Sequence, residues 1–143
     1  MQEAEVQAVL RERGMAYRPG ATICGTVKSS VAAYENGLGP VMSVMKDHVL
    51  NLRADGVAVV PRDDSTGRLV AERAVDLGPD AVRTLRIVPK LLHLELVVET
   101  AAGNIEYRVP RSVIGCPWHR QNLSRLLVGA LDASAGNEGK AQG

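Results

Sequence analysis

Residues 118–133 read WHRQNLSRLLVGALDA. Leu123, Leu126, Leu127, Ala130 and Leu131 fall at i, i+3, i+4, i+7 and i+8, which makes one apolar stripe on an α-helix. Arg120, Gln121, Asn122, Ser124, Arg125 and Asp132 fall off that stripe. Cys116-Pro117 opens the helix; proline suits a first helical turn, where the amide it lacks has no partner to lose. Nearly everything between residues 22 and 109 reads as short strands. A single amphipathic helix after a β meander needs a sheet to lie on, and the sheet needs a cover.

The strands follow from alternation and from the turns between them. Residues 22–31 form the first, with Ile23, Gly25 and Val27 on one side. Residues 31–34 either continue it or make a short helical turn, and 36–40 (NGLGP) are a loop. Residues 41–44 lead into 48–53, where Leu50 and Leu52 face one way and Asn51 and Arg53 the other. Ala54-Asp55-Gly56 contains the Asp-Gly pair that favours a tight hairpin. Residues 57–62 return as a strand, with Pro61 near an edge. After the turn DDSTG, residues 68–77 form the next. Residues 82–88 and 91–99 make a pair. In its second strand Leu92, Leu94, Leu96 and Val98 share a face, with His93, Glu95 and Glu99 opposite and Val97 the exception. Ile105, Tyr107 and Val109 alternate with Glu106 and Arg108 in the last, and Pro110 stops the pairing. About seven strands joined by short turns imply antiparallel neighbours, bent into a small barrel that the C-terminal helix caps.

Ahead of the sheet, residues 2–13 read as a helix. Glu3 and Glu5 stand near its start and Arg11 and Arg13 near its end, which suits the helix dipole. Val6, Val9 and Leu10 give a narrow apolar face, and Gly14 supplies a C-terminal cap. Packing on the home domain is the expected use of that face, with a docking helix for a partner as the sharper alternative. The organisation is thus an N-terminal helix (1–16), one domain (17–133) and a disordered tail (134–143) with no apolar anchor.

Composition narrows the function classes. The chain has 143 residues, enough to bury a core without metals or disulfide staples. With no Phe, three Tyr and one Trp, that core is aliphatic. A net charge of +1 lacks the basic excess of a nucleic-acid binder. The acidic opening MQEAE does not read as a secretory signal, and no apolar run is long enough to span a bilayer. The expected setting is the cytoplasm, with Cys24 and Cys116 as free thiols and a Cys24–Cys116 disulfide as the alternative that a reducing compartment disfavours.

The order of elements resembles the pleckstrin-homology-like superfold, in particular bacterial PH-like and GRAM-type domains. The likeness is carried by HVLNLRADGVAVVPRDDSTGRLVAERAVDL (48–77), by the pair over 82–99, the strand over 105–109 and the closing helix, with Tyr17-Arg18-Pro19-Gly20-Ala21 as lead-in. It covers residues 17–133 and implies a bent antiparallel barrel capped by a helix. Two features depart from it. Many PH domains place a Trp inside the last helix, whereas Trp118 stands at its beginning. Phosphoinositide-binding members gather Lys and Arg at the first hairpin, whereas residues 29–41 hold no basic residue and only Lys28 stands nearby.

Several residues invite a chemical reading. Cys116-Pro117-Trp118-His119 places a thiol at a helix N-terminus with an imidazole three residues on, which would suit a thiol-dependent enzyme or redox sensor; the plainer reading makes Cys116 a small buried residue and Trp118 a plug for one barrel end. His48, His93 and His119 are scattered and there is no Cys-x-x-Cys pair, so no metal is expected. No phosphate-binding glycine loop or serine nucleophile elbow occurs. Arg108, Arg111, Arg120 and Arg125 would meet an anionic lipid or protein if they gathered, and a solvated charged face otherwise. Leu38, Val41 and Met42 are either an interaction surface or core, with core expected. The resulting expectation is a non-enzymatic binding or scaffolding module without cofactor. It would engage a protein partner or itself through a strand edge or the N-terminal helix; thiol chemistry at Cys116/His119 and weak anionic-membrane binding are the alternatives.

Overall fold

The computed structural model describes residues 1–39 and 45–142, with side chains through residue 129. Helix α1 (Glu3–Glu12) precedes β1 (Thr22–Val27), α2 (Val31–Glu35), β2 (Asp47–Arg53), β3 (Gly56–Pro61), β4 (Val75–Leu77), β5 (Val82–Pro89), β6 (His93–Thr100), β7 (Gly103–Pro110) and α3 (Pro117–Gln142). The strands form one antiparallel seven-stranded sheet in the order β4-β3-β2-β1-β7-β6-β5. Two meanders are thus joined through β1 and β7, where Thr26 faces Arg108 and Val27 faces Tyr107.

The sheet is bent but not closed, which corrects the expectation of a barrel. Among the described residues β4 pairs only with β3 and β5 only with β6, so both are edges of the described sheet. β4 has three residues, too few for a second ladder. Side chains bridge the gap instead: Leu77 and Val82 join the same buried cluster as Leu50, Leu94, Leu96, Ile105 and Tyr107. Leu123 of α3 belongs to that cluster, with Leu126 and Leu127 packed on its margin. The described part of the leucine stripe therefore lies where the periodicity puts it, on the concave side.

The convex side is covered as well. Val6 and Leu10 of α1 pack with Cys24, Val49, Ala58, Val60, Cys116 and Trp118 in a second cluster. Every residue of β3 is consequently buried, and Asn51 is buried on the face that alternation leaves wet. Its carboxamide oxygen accepts from the Arg18 amide at 2.9 Å, and its nitrogen donates to the Arg18 carbonyl at 2.9 Å and the Thr22 hydroxyl at 3.1 Å. The apolar face of α1 is thus used at home rather than left for a partner. Gly14 ends the helix with φ of +69°, as the cap requires.

Other boundaries differ from the expected ones for local reasons. The strand expected over residues 68–77 shrinks to Val75–Leu77. After the single bridge from Arg62 to Leu69, the Arg73 and Ala74 amides turn back onto Val70 and Ala71 in a short 3-10 turn, Ala71–Arg73. Residues 31–35 form the helical turn, started by the Ser30 hydroxyl accepting from the Ala33 amide at 3.1 Å. Helix α3 continues to Gln142, through the stretch from Ser134 that composition marks as a tail. An established helix adds residues without a new nucleation step. The strand lead-in over residues 41–44 lies outside the described residues.

Gly56 is needed for a reason other than the turn. Arg53 and Gly56 pair across a two-residue loop, and no non-glycine residue there adopts positive φ. A Cβ on Gly56 would instead overlap the Leu77 carbonyl oxygen of the neighbouring strand. Gly56→Ala should therefore push β4 off β3 and destabilise the fold by about 1–3 kcal/mol, which urea denaturation would show. An unchanged midpoint would mean that β4 is not held against this hairpin.

Candidate functional site

Pro89 and Pro110 end the pairing of β5, β6 and β7 at the same end of the sheet, opposite Leu94 and His93 respectively. The chain beyond them forms two neighbouring loops. Lys90 closes the β5–β6 turn by donating its amide to the His93 carbonyl at 2.8 Å. This leaves Leu91 and Leu92 at the tip, 91% and 77% exposed. Alternation in a strand begun at Leu91 assigns Leu92 to the buried face; the strand starts two residues later, at His93, and the tight turn swings Leu92 outward. In the loop between β7 and α3, Ile114 is fully exposed. Arg111 ties the loops together, donating from Nη2 to the Lys90 carbonyl at 2.9 Å.

Beside this apolar end, Arg111, Ser112, Arg120, Leu123, Ser124 and Leu127 line a cleft of about 340 Å³. Among the described residues neither arginine forms an ion pair. The four arginines singled out by the sequence do not all gather here. Arg125 lines a separate cleft with Arg18 and Gly20, and Arg108 lies on β7 opposite Glu95. Lys28 is engaged by Glu95 at 3.0 Å and Glu106 at 3.6 Å. The Glu95 hydrogen bond, first among the causes, raises the Lys28 pKa and lowers that of Glu95.

The Cys-Pro-Trp-His stretch is built into the fold. Trp118 packs under α1 on the convex face, not at a barrel end, and its indole N–H donates to the Met1 carbonyl at 2.9 Å. His119 is shut off from solvent. Its Nδ1 accepts from the Cys24 amide at 3.0 Å, and its Nε2 meets the Pro110 carbonyl at 2.6 Å. A carbonyl only accepts, so Nε2 carries the proton and the ring is neutral. Burial, the main cause, lowers its pKa. Both nitrogens are occupied, which leaves neither to take a proton from Cys116. Cys24 and Cys116 are both buried and unpaired.

His48 makes a second closed arrangement, on the concave face that alternation gives it with Leu50 and Leu52. Its Nδ1 accepts from the Tyr107 hydroxyl at 2.8 Å, and Nε2 donates to the Met45 carbonyl at 3.0 Å. Among the described residues no three His, Cys, Asp or Glu side chains come close enough to hold a metal ion. Leu38 is fully buried, as core; Val41 and Met42 lie outside the described residues. No described helix is long and apolar enough to cross a membrane. No protein-family model matches the chain, and a search of curated proteins finds no match.

Proposed function

We propose that the chain is a non-enzymatic PH-like binding module that associates with a second copy of itself through the hairpin end of its sheet. The observation that carries this reading is the joint exposure of Leu91, Leu92 and Ile114 on two loops fastened by Arg111. Apolar side chains grouped this way in water mark an interaction surface. β5 runs directly into that tip, and no strand among the described residues pairs with its outer edge, a natural docking line for another strand. The strand order, with a C-terminal helix on the concave face, supports the PH-like assignment. Two unpaired thiols suit a reducing compartment such as the cytoplasm.

Sedimentation equilibrium from micromolar to near-millimolar chain tests this. The apparent mass should rise with concentration, and a Leu91→Glu, Leu92→Glu double variant should stay monomeric with an unchanged unfolding midpoint. A monomer at every concentration for the unaltered chain overturns the reading. One observation favours a second reading: Lys90 adjoins the leucines, Arg111 is hydrogen-bonded to the Lys90 carbonyl and Arg120 lines the cleft beside Arg111, basic groups of the kind that flank a loop dipping into an anionic membrane surface. Co-sedimentation with phosphatidylserine vesicles that fades with salt, absent with phosphatidylcholine alone, would favour it over self-association.

A further inference from the structure

Cys24 and Cys116 lie far apart in sequence but pack in one cluster beneath α1. His119 spans them: its ring accepts from the Cys24 amide at 3.0 Å, while its own amide donates to the Cys116 carbonyl at 3.0 Å. The lid over them is the chain's start, where the Met1 ammonium donates to the Gly115 carbonyl at 3.0 Å. We propose that Cys24 and Cys116 are a paired dithiol that a peroxide converts to an intramolecular disulfide, latching β1 to the start of α3.

The two thiols differ in access. Cys24 lines a cleft of about 140 Å³ with Thr26, Asp47, His48 and Arg62, while Cys116 is almost wholly enclosed. Peroxide therefore meets Cys24 first. Its sulfur attacks one peroxide oxygen, the O–O bond breaks, and a sulfenic acid and one water result. The Cys116 sulfur then attacks the Cys24 sulfur; the S–O bond breaks, the S–S bond forms and a second water leaves. Two electrons pass from the thiols to the peroxide, and both thiol protons end in water. Burial, reinforced by the neighbouring Cys116, pushes the Cys24 thiol up to about 12. The thiolate is the attacking form, so the first step is slower than at an exposed thiol. The neighbouring Cys116 sulfur then takes the sulfenic acid to a disulfide before further oxidation. This inference does not rest on the binding reading above.

The test treats the folded chain with hydrogen peroxide, removes the oxidant with catalase, unfolds the chain and alkylates it with N-ethylmaleimide. The expected product is a monomer lighter by two hydrogens that takes no alkyl group. Its digest should contain one peptide pair joined through Cys24 and Cys116, which separates on reduction. Cys24→Ala and Cys116→Ala should each lose that pair. The proposal is overturned if both thiols of the treated chain remain alkylatable, if each oxidises separately to a sulfinic acid, or if the only disulfides join two chains.

Discussion

His119→Ala is expected to destabilise the fold by about 3–5 kcal/mol, more than Gly56→Ala. The imidazole joins three parts of the chain: α3 carries it, Nδ1 holds the Cys24 amide of β1, and Nε2 holds the carbonyl that ends β7. Alanine leaves that amide and that carbonyl without their partner, each at roughly 1–3 kcal/mol, and opens a hole the size of the fully buried ring. Trp118, the only tryptophan, is the adjacent residue. Its fluorescence therefore reports the start of α3, while far-UV circular dichroism reports the sheet. Urea curves by the two probes should shift together to lower urea. A loss under 1 kcal/mol would mean that water reaches both groups, contrary to the burial of the ring. Separation of the two curves would mean that α3 lifts before the sheet opens.

The same residue shows how far the sequence can be read. Alternation locates the seven strands, because each has one face on the concave core; Leu94, Leu96 and Val98 follow it without exception. The 3.6-residue period locates Leu123, Leu126 and Leu127 for the same reason. Both rules assign polar residues to water, and they fail where a second layer covers the sheet. Asn122 falls off the stripe, yet it is buried, and its amide nitrogen donates to the Thr22 carbonyl and to Glu3, each at 2.9 Å. Asn51 escapes alternation in the same way, whereas His48 and His119 stand in phase with the buried rows, two residues before Leu50 and four before Leu123, and only their polar type conceals it. Hydrogen-bonded polar residues between layers have no spacing of their own, since their partners come from whichever strand lies beneath. The short apolar face of α1 is the available clue: a helix with only Val6, Val9 and Leu10 to bury needs a shallow bed, and the convex side of β1–β3 is that bed. The meeting of Cys24 with Cys116 is hidden too, because it follows from where α3 begins on the sheet rather than from either residue's neighbours. At the candidate interface the fault is a boundary. A strand begun at Leu91 buries Leu92, whereas the real turn exposes both leucines.

Stability should fall as the solution is acidified from pH 6.5, before the carboxylates begin to matter. Burial lowers the pKa of both His48 and His119 below the ordinary 6.5. In the unfolded chain each binds a proton near pH 6.5, while in the folded chain each stays neutral to a lower pH. The unfolded state then holds more protons across that window, so stability rises with pH there and is complete above it. Each imidazole contributes a slope of at most about 1.4 kcal/mol per pH unit, and the two together at most about 2.7. Hydrogen bonding sharpens the effect for His119. Its Nδ1 faces a backbone N–H that cannot turn away, so a proton there would set donor against donor. The Tyr107 hydroxyl facing His48 has freedom to rotate and accept. Urea denaturation at pH 7.5, 6 and 5 should give a falling free energy. In the folded state the ring carbon protons of both residues should still show neutral-imidazole chemical shifts at pH 6.5, where a free imidazole is half protonated. The favourable ionisation of Glu95, whose pKa Lys28 lowers, and of Asp63, lowered by the Ser65 hydroxyl, is lost only below their ordinary values of 4.5 and 3.8. A profile flat from pH 7.5 to 5 would therefore count against buried neutral imidazoles, and a drop confined to below pH 4.5 would assign the acid sensitivity to the carboxylates instead.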